Sequence, residues 1–116
     1  MKPLFSYGTL VSNVFLKSII GNDNKEVSYK YARVRLPGYR RLGRSVIVPS
    51  KEIGATVHGV LIYGLSESDI TKLDAYEGHP ALWERQDVKV FDHNDTVEAQ
   101  AYIPQEMVVN RGQSSN

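Results

Sequence analysis

The first apolar run of the chain is Leu4-Phe5-Ser6-Tyr7-Gly8-Thr9-Leu10. The uncharged residues before Gly8 predict a short buried strand, and Gly8 is predicted to end it in a turn with positive φ. Consecutive backbone N–H groups freed from a sheet in such a turn form a concavity that binds anions. Thr9 would add a hydroxyl donor. The same residues also fit a turn with a purely structural function.

A second segment, about seventy residues later, combines a helix end with a carboxylate, and it is Leu73-Asp74-Ala75-Tyr76-Glu77-Gly78-His79-Pro80-Ala81-Leu82-Trp83-Glu84-Arg85. Ser66 and Asp69 predict a capped helix over residues 67–76, so Glu77 stands at its C-terminal end. The negative end of the helix dipole and the apolar residues that follow would both raise the pKa of Glu77. Such a carboxylate suits a general base that later donates its proton. The alternative is an ordinary solvated glutamate.

The rest of the chain predicts an α+β domain. Ser12 or Asn13 can cap a helix that ends at Gly21. Besides the first strand, strand patterns cover residues 27–36, 39–42, 45–48, 56–65, 85–91 and 96–103. Six to seven short strands and two helices favour a curved sheet or a small mixed barrel. Within residues 56–65, Gly59 predicts a bulge, a bend or a close approach of another backbone.

Length and composition exclude several classes of protein. The 116 residues fit one domain, predicted to span residues 1–110, followed by a polar tail at 111–116. The absence of cysteine excludes a disulfide scaffold, a thiolate metal site and a cysteine nucleophile. A net charge of +1 argues against nucleic acid or an anionic membrane as a partner. With no signal peptide and no apolar run of ~20 residues, we expect a cytoplasmic protein, a monomer or weak homodimer.

The remaining polar residues predict no metal site. His58, His79 and His93 lack the spacing of metal ligands, and no cofactor is expected. One charged feature remains, a basic cluster formed by Arg33, Arg35, Arg40, Arg41 and Arg44. This cluster is similar to a small phosphate or nucleic-acid patch, and it also fits an ordinary solvated face.

The two quoted segments resemble the γ-glutamylcyclotransferase-like family, in the branch of the γ-glutamylamine cyclotransferases and the avirulence-induced plant proteins. Tyr7-Gly8-Thr9-Leu10 matches the family's Tyr-Gly-Thr/Ser-Leu turn, and the resemblance implies that Tyr7, Gly8, Thr9 and Leu10 bind the glutamyl part of the substrate. The second segment matches the signature Asp-x-x-Glu-Gly followed by an aromatic residue, one residue and arginine. Its glutamate is the acid/base of the family, which implies that Glu77 is catalytic.

The resemblance covers about residues 4–103, and it implies further features of the site. Trp83 stands where the family more often has tyrosine, so it would give a larger wall and an N–H donor. Ser45 lies in a segment that matches a family pattern and is another expected wall residue. Apart from the resemblance, Arg40 of the basic cluster is expected at the pocket mouth, where an arginine would bind an anionic substrate tail. Arg85 is expected to anchor Asp74 or a neighbouring loop. The implied fold is a mixed β-barrel flanked by helices, with the site at one mouth.

The implied activity is the release of 5-oxoproline and a free amine from a γ-glutamyl amine or γ-glutamyl peptide, by intramolecular aminolysis. The leaving amine is not identified by the sequence. One alternative is a non-catalytic binding module of the same fold that holds a small anionic ligand, through the basic cluster. Another is a small interaction protein that uses the surface around Tyr29, Tyr31 and Tyr39.

Overall fold

A computed structural model describes residues 1–114, and it has the predicted α+β architecture. In chain order the elements are β1 (Leu4–Ser6), a 3₁₀ turn (Thr9–Val11), α1 (Asn13–Ile20), β2 (Ser28–Pro37), β3 (Tyr39–Arg41), β4 (Ile47–Pro49), β5 (Thr56–Tyr63), α2 (Glu67–Glu77), β6 (Trp83–Asp92), β7 (Asp95–Pro104) and α3 (Glu106–Ser114). The α+β class, the barrel and the number of strands are therefore confirmed.

Five of the strands close into a barrel in the order β1-β5-β2-β6-β7. The neighbours in this order pair antiparallel, and a parallel contact between Leu4 of β1 and Gln100 of β7 closes the circle. Strands β3 and β4 form a separate two-stranded sheet. Closure of the barrel also places Pro3 beside β7, where its carbonyl oxygen accepts a hydrogen bond from the amide of Gln100.

Alternation along the strands divides the apolar residues into two clusters, because successive side chains of a strand point to opposite faces. Phe5 and Leu61 belong to the cluster that draws residues from all five barrel strands and fills the barrel. Leu4 and Ile62, the next positions on the same strands, belong to the cluster that includes residues of α1 and α2. Burial on both faces of β1 explains why Leu4–Ser6 is an uninterrupted buried run.

Gly59 allows β1 to lie close against β5. A Cβ atom at this position would stand 2.3 Å from the carbonyl oxygen of Ser6 and 2.7 Å from Cζ of Phe5. Both distances are far below van der Waals contact, so a residue with a side chain would displace β1. The close backbone approach predicted from this glycine is confirmed.

The two predicted helices form where their capping residues stand. The Ser12 hydroxyl accepts a hydrogen bond from the amide of Phe15 at 3.2 Å at the start of α1. Ser66 and Asp69 form a complete capping box at the start of α2. At its other end, α2 extends one residue beyond the prediction and includes Glu77.

One helix was not predicted. Residues 106–114 form α3, which continues past residue 110, where the sequence analysis ended the domain. The adjacent apolar residues Met107, Val108 and Val109 lack the spacing of an amphipathic helix, so the pattern gave no helical signal. Positions 115 and 116 of the predicted tail lie outside the described residues. Within residues 1–114 no helix is long and apolar enough to cross a membrane.

Candidate active site

A cleft of about 300 Å³ lies where the chain leaves β1 and faces the end of α2. It brings together ten residues of the two quoted segments and Ser45 of the predicted wall. Its full lining is Leu4, Phe5, Ser6, Tyr7, Gly8, Thr9, Leu10, Ser45, Tyr76, Glu77, Trp83 and Tyr102. The turn and the carboxylate thus share one cavity although about seventy residues separate them.

The turn after β1 presents backbone donors without partners. The chain enters the 3₁₀ turn at Thr9, and the carbonyl oxygen of Gly8 accepts a hydrogen bond from the amide of Val11 at 3.2 Å. Within residues 1–114, no protein atom accepts a hydrogen bond from the backbone N–H of Gly8, Thr9 or Leu10. These three donors are the kind of group that holds a carboxylate or an oxyanion.

The expected positive φ of Gly8 was wrong, since its φ is −123°. The structure supplies a different reason for a glycine at this position. A Cβ atom there would stand 3.1 Å from Oγ of Ser45, closer than most side chains tolerate. Gly8 therefore lets the turn and Ser45 approach each other at the wall of the cleft.

Glu77 is the last residue of α2 and is half-buried beside the cleft. Gly78, in the left-handed conformation with φ of 68°, ends the helix directly after it. Burial raises the pKa of Glu77 to about 7. None of the ion pairs in the described part of the chain includes its carboxylate. Glu77 is thus poised to take up and release a proton near neutral pH.

Two tyrosine hydroxyls lie close enough to Glu77 to respond to its charge. Burial, reinforced by the negative charge of Glu77, raises the pKa of Tyr7 far above its usual value. The Trp83 indole beside the Tyr7 hydroxyl partly opposes this rise in pKa. Burial and the neighbouring carboxylates also raise the pKa of Tyr102 strongly. Both hydroxyls therefore remain protonated at neutral pH.

Tyr102 links the turn to α2, and sequence analysis did not identify it. The Tyr7 hydroxyl donates to the carbonyl oxygen of Tyr102 at 2.6 Å, across ninety-five positions of sequence. The Tyr102 hydroxyl donates to Oδ1 of Asp74 at 2.7 Å. Strand β7 reaches β1 only because the barrel closes. No local sequence signal therefore marks Tyr102 as a site residue.

Arg85 fastens the end of α2 to the barrel. Its Nε and Nη2 donate to the two carboxylate oxygens of Asp74 at 2.9 and 3.1 Å, and Nη1 donates to Gln100 at 3.0 Å. The backbone amide of Arg85 also donates to Nδ1 of His79 at 3.0 Å. The predicted anchoring of Asp74 by Arg85 is confirmed. Because Asp74 lies one helical turn before Glu77, the pair holds the helix end that carries Glu77.

We expect Arg85→Gln to lower the free energy of unfolding by about 1–3 kcal/mol. The substitution removes a two-pronged, partly buried hydrogen-bonded pair and leaves the Asp74 carboxylate with fewer donors. Lys89→Gln is the matched control on the same strand, because the Lys89–Glu98 pair is exposed and 3.9 Å long. Exposed pairs contribute about 0–1 kcal/mol. Equal urea midpoints for the two variants would contradict the anchoring role.

Of the two remaining predicted wall residues, Trp83 lines the cleft and Arg40 does not. Trp83, at the start of β6, lines the cleft as expected. Arg40 is exposed on β3 and is not among the lining residues. Its neighbour Arg41 approaches the cleft instead, with its guanidinium 5.9 Å from the centre of the Tyr7 ring. Successive side chains of β3 point to opposite faces, so the two arginines lie on different sides of the strand. The sequence of so short a strand does not indicate which of its faces turns toward the cleft.

The chain matches a known protein family. The model of a family described as "Gamma-glutamyl cyclotransferase, AIG2-like" matches residues 4–115. No curated protein matches the chain.

Solved structures share the fold. A protein of Arabidopsis thaliana is 24% identical with a TM-score of 0.67, and the match covers 89% of this chain and 61% of that one. An AIG2-like protein of Mus musculus is 20% identical with a TM-score of 0.61, over 89% and 76% of the two chains. A protein described as gamma-glutamyl cyclotransferase is 17% identical with a TM-score of 0.65, over 99% and 79%. This chain thus spans less than two thirds of the Arabidopsis protein.

Proposed function

Because this chain belongs to the gamma-glutamyl cyclotransferase, AIG2-like family, we propose that it releases 5-oxoproline and a free amine from a γ-glutamyl amine or γ-glutamyl peptide. One observation carries the proposal. The half-buried carboxylate of Glu77 shares a cleft with the backbone N–H groups of Gly8, Thr9 and Leu10, and within residues 1–114 neither the carboxylate has an ion-pair partner nor the three N–H groups an acceptor. The cleft offers a proton acceptor on one side and anion-binding donors on the other.

The reaction needs one group that moves a proton twice. The Glu77 carboxylate takes a proton from the substrate α-amine while the nitrogen attacks the γ-carbonyl carbon. A new C–N bond closes the five-membered lactam ring. The bond to the leaving amine then breaks, and Glu77 gives its proton to that amine and returns to the carboxylate form. No water takes part in the bond changes, and a raised pKa serves both proton transfers.

In this proposal the turn at residues 8–10 binds the negative charge of the substrate. Its N–H groups would bind the α-carboxylate of the substrate or the oxyanion that forms at the γ-carbonyl, a contribution of about 3 kcal/mol per donor. Holding the amine against the carbonyl in a reactive conformer supplies up to ~7–11 kcal/mol. Tyr7, Tyr102 and Trp83 would form the walls that fold the substrate. The cytoplasmic location and the monomeric or weakly dimeric state remain predictions from the sequence.

The pH dependence of the reaction tests the role of Glu77. Only the carboxylate form accepts a proton, so kcat/KM should rise about tenfold per pH unit at low pH and level off above the pKa of about 7. A further rise at higher pH would belong to the ammonium group of the substrate. The measurement is the initial rate of 5-oxoproline formation across the pH range. A profile that is flat from acidic to neutral pH would contradict the assignment.

A further inference from the structure

A second cleft, of about 250 Å³, lies on the outer face of the barrel and shares no residue with the first. It is lined by Arg33, Arg35, His58, His93 and Asn94, and we call it the outer basic cleft. Arg35 on β2 and His58 on β5 are directly opposed across the ladder. The flanking residues Val34, Leu36 and Val57 fill the barrel, so the alternating side chains point outward.

The two arginines of this cleft have no acidic partner in the described part of the chain. None of its lining residues in the described part of the chain is acidic, and no ion pair within residues 1–114 includes Arg33 or Arg35. The adjacent carboxylate of Asp92 is held by Lys30 at 2.5 Å and by His93 at 3.0 Å. Two guanidinium groups at one cleft repel each other, and a bound anion relieves the repulsion.

Specific contacts hold the lining residues of the cleft in place. Nη1 of Arg35 donates to the carbonyl oxygen of His93 at 3.0 Å, and its guanidinium lies 4.6 Å above the centre of the Phe91 ring. Arg33 and His93 both have positive φ, of 56° and 58°, and the amide of His93 donates to the carbonyl of Arg33 at 3.2 Å. His93 adopts positive φ in the two-residue turn between β6 and β7, and Arg33 adopts it at the register shift of β2, so a turn and an irregular strand segment form this side of the cleft.

We propose that the outer basic cleft binds the phosphate group of a small phosphorylated molecule. Guanidinium groups are the side chains best suited to phosphate oxygens, because their planar fork donates two parallel hydrogen bonds. Stacking on Phe91 fixes the Arg35 fork in place, and Arg33 is exposed and without an ion pair among the described residues. Arg40, Arg41 and Arg44, the other members of the basic cluster, are exposed and do not line the cleft. The site is therefore local and not an extended basic surface of the kind that binds nucleic acid.

Amide chemical shifts during titration with inorganic phosphate, and then with glycerol 3-phosphate, test the proposal. We expect saturable shifts at the amides of residues 33, 93 and 94. Arg33→Gln and Arg35→Gln should each weaken binding about tenfold or more, as expected for loss of a charge-assisted hydrogen-bonding group. The matched control is Arg40→Gln, which removes the same charge from outside the cleft and should leave affinity within about twofold.

Vesicles distinguish the two sources of a phosphate group. Sedimentation with phosphatidic acid vesicles, but not with phosphatidylcholine vesicles, would support a lipid headgroup, and binding of the soluble esters alone would support a small metabolite. The proposal is overturned if no saturable shift occurs in millimolar phosphate. It is also overturned if Arg40→Gln weakens binding as much as Arg33→Gln, or if a single-stranded oligonucleotide binds through all these arginines. Arg33→Gln should keep full cyclotransferase turnover, so this test is independent of the proposed reaction.

Discussion

Glu77→Gln is expected to lower the rate of 5-oxoproline release by about 10²–10⁴-fold, as is typical when a general acid/base is removed. Glutamine keeps the size and shape of the side chain and cannot accept the proton of the substrate amine. Substrate binding should persist, because the backbone donors of Gly8, Thr9 and Leu10 are unchanged. The matched control is Glu84→Gln, another half-buried glutamate that does not line the cleft, which should keep full turnover.

The stability of the same variant shows whether the protein remains folded. The pKa of Glu77 is raised in the folded state to about 7, so the folded protein binds this proton more tightly than the unfolded chain does. The resulting stabilisation is complete below the unfolded pKa and is lost as the pH rises through about 7. Glu77→Gln should therefore melt at the same or a higher temperature than the natural protein at pH 8. Full turnover by this well-folded variant would remove Glu77 from the mechanism.

Gly59→Ala is expected to have the largest effect on stability, lowering the free energy of unfolding by about 3 kcal/mol, the upper end for overpacked sites. The added Cβ would stand 2.3 Å from the carbonyl oxygen of Ser6, a backbone atom that moves only if β1 moves. Because β1 leads directly into the turn at Gly8, turnover should fall as well. Urea denaturation and initial rates on the same preparation measure both effects.

Gly43→Ala serves as the control for this substitution. Nothing lies within 4 Å of a Cβ at Gly43, and its φ is outside the positive range that excludes side chains. Alanine there should leave stability unchanged or raise it by up to about 1 kcal/mol, through the smaller entropy of the unfolded chain. If Gly59→Ala were as stable as Gly43→Ala, the close packing of β1 on β5 would be refuted.

The local features of this fold were predictable from sequence because short-range chemistry decides them. The capping box of Ser66 and Asp69, the helix end at Gly78 and the close approach at Gly59 each depend on residue types with few alternatives. Gly8 shows a limit of such reasoning. The need for glycine was clear, but its cause, contact with Ser45, involves a segment far away in sequence.

Features that depend on barrel closure could not be derived from local patterns. Tyr102 joins the site because β7 pairs with β1. The sequence predicted Arg40 at the cleft, but Arg41 approaches it instead, because the face of β3 that turns toward Tyr7 carries Arg41. Ten of the lining residues lie within the two segments that carried the resemblance, so the candidate site was predictable in outline. The hydrogen bonds that join Tyr7, Tyr102 and Asp74 around the site were not predictable.

The identity of the products tests the central claim most directly. The purified protein is incubated with a panel of γ-glutamyl amines and γ-glutamyl dipeptides in ¹⁸O-labelled water, and the products are separated and weighed by mass spectrometry. Intramolecular aminolysis predicts 5-oxoproline and free amine in equal amounts, with no ¹⁸O in the 5-oxoproline and no release by Glu77→Gln. Formation of ¹⁸O-labelled glutamate would show hydrolysis by water, and the absence of 5-oxoproline from every substrate would contradict the proposed activity.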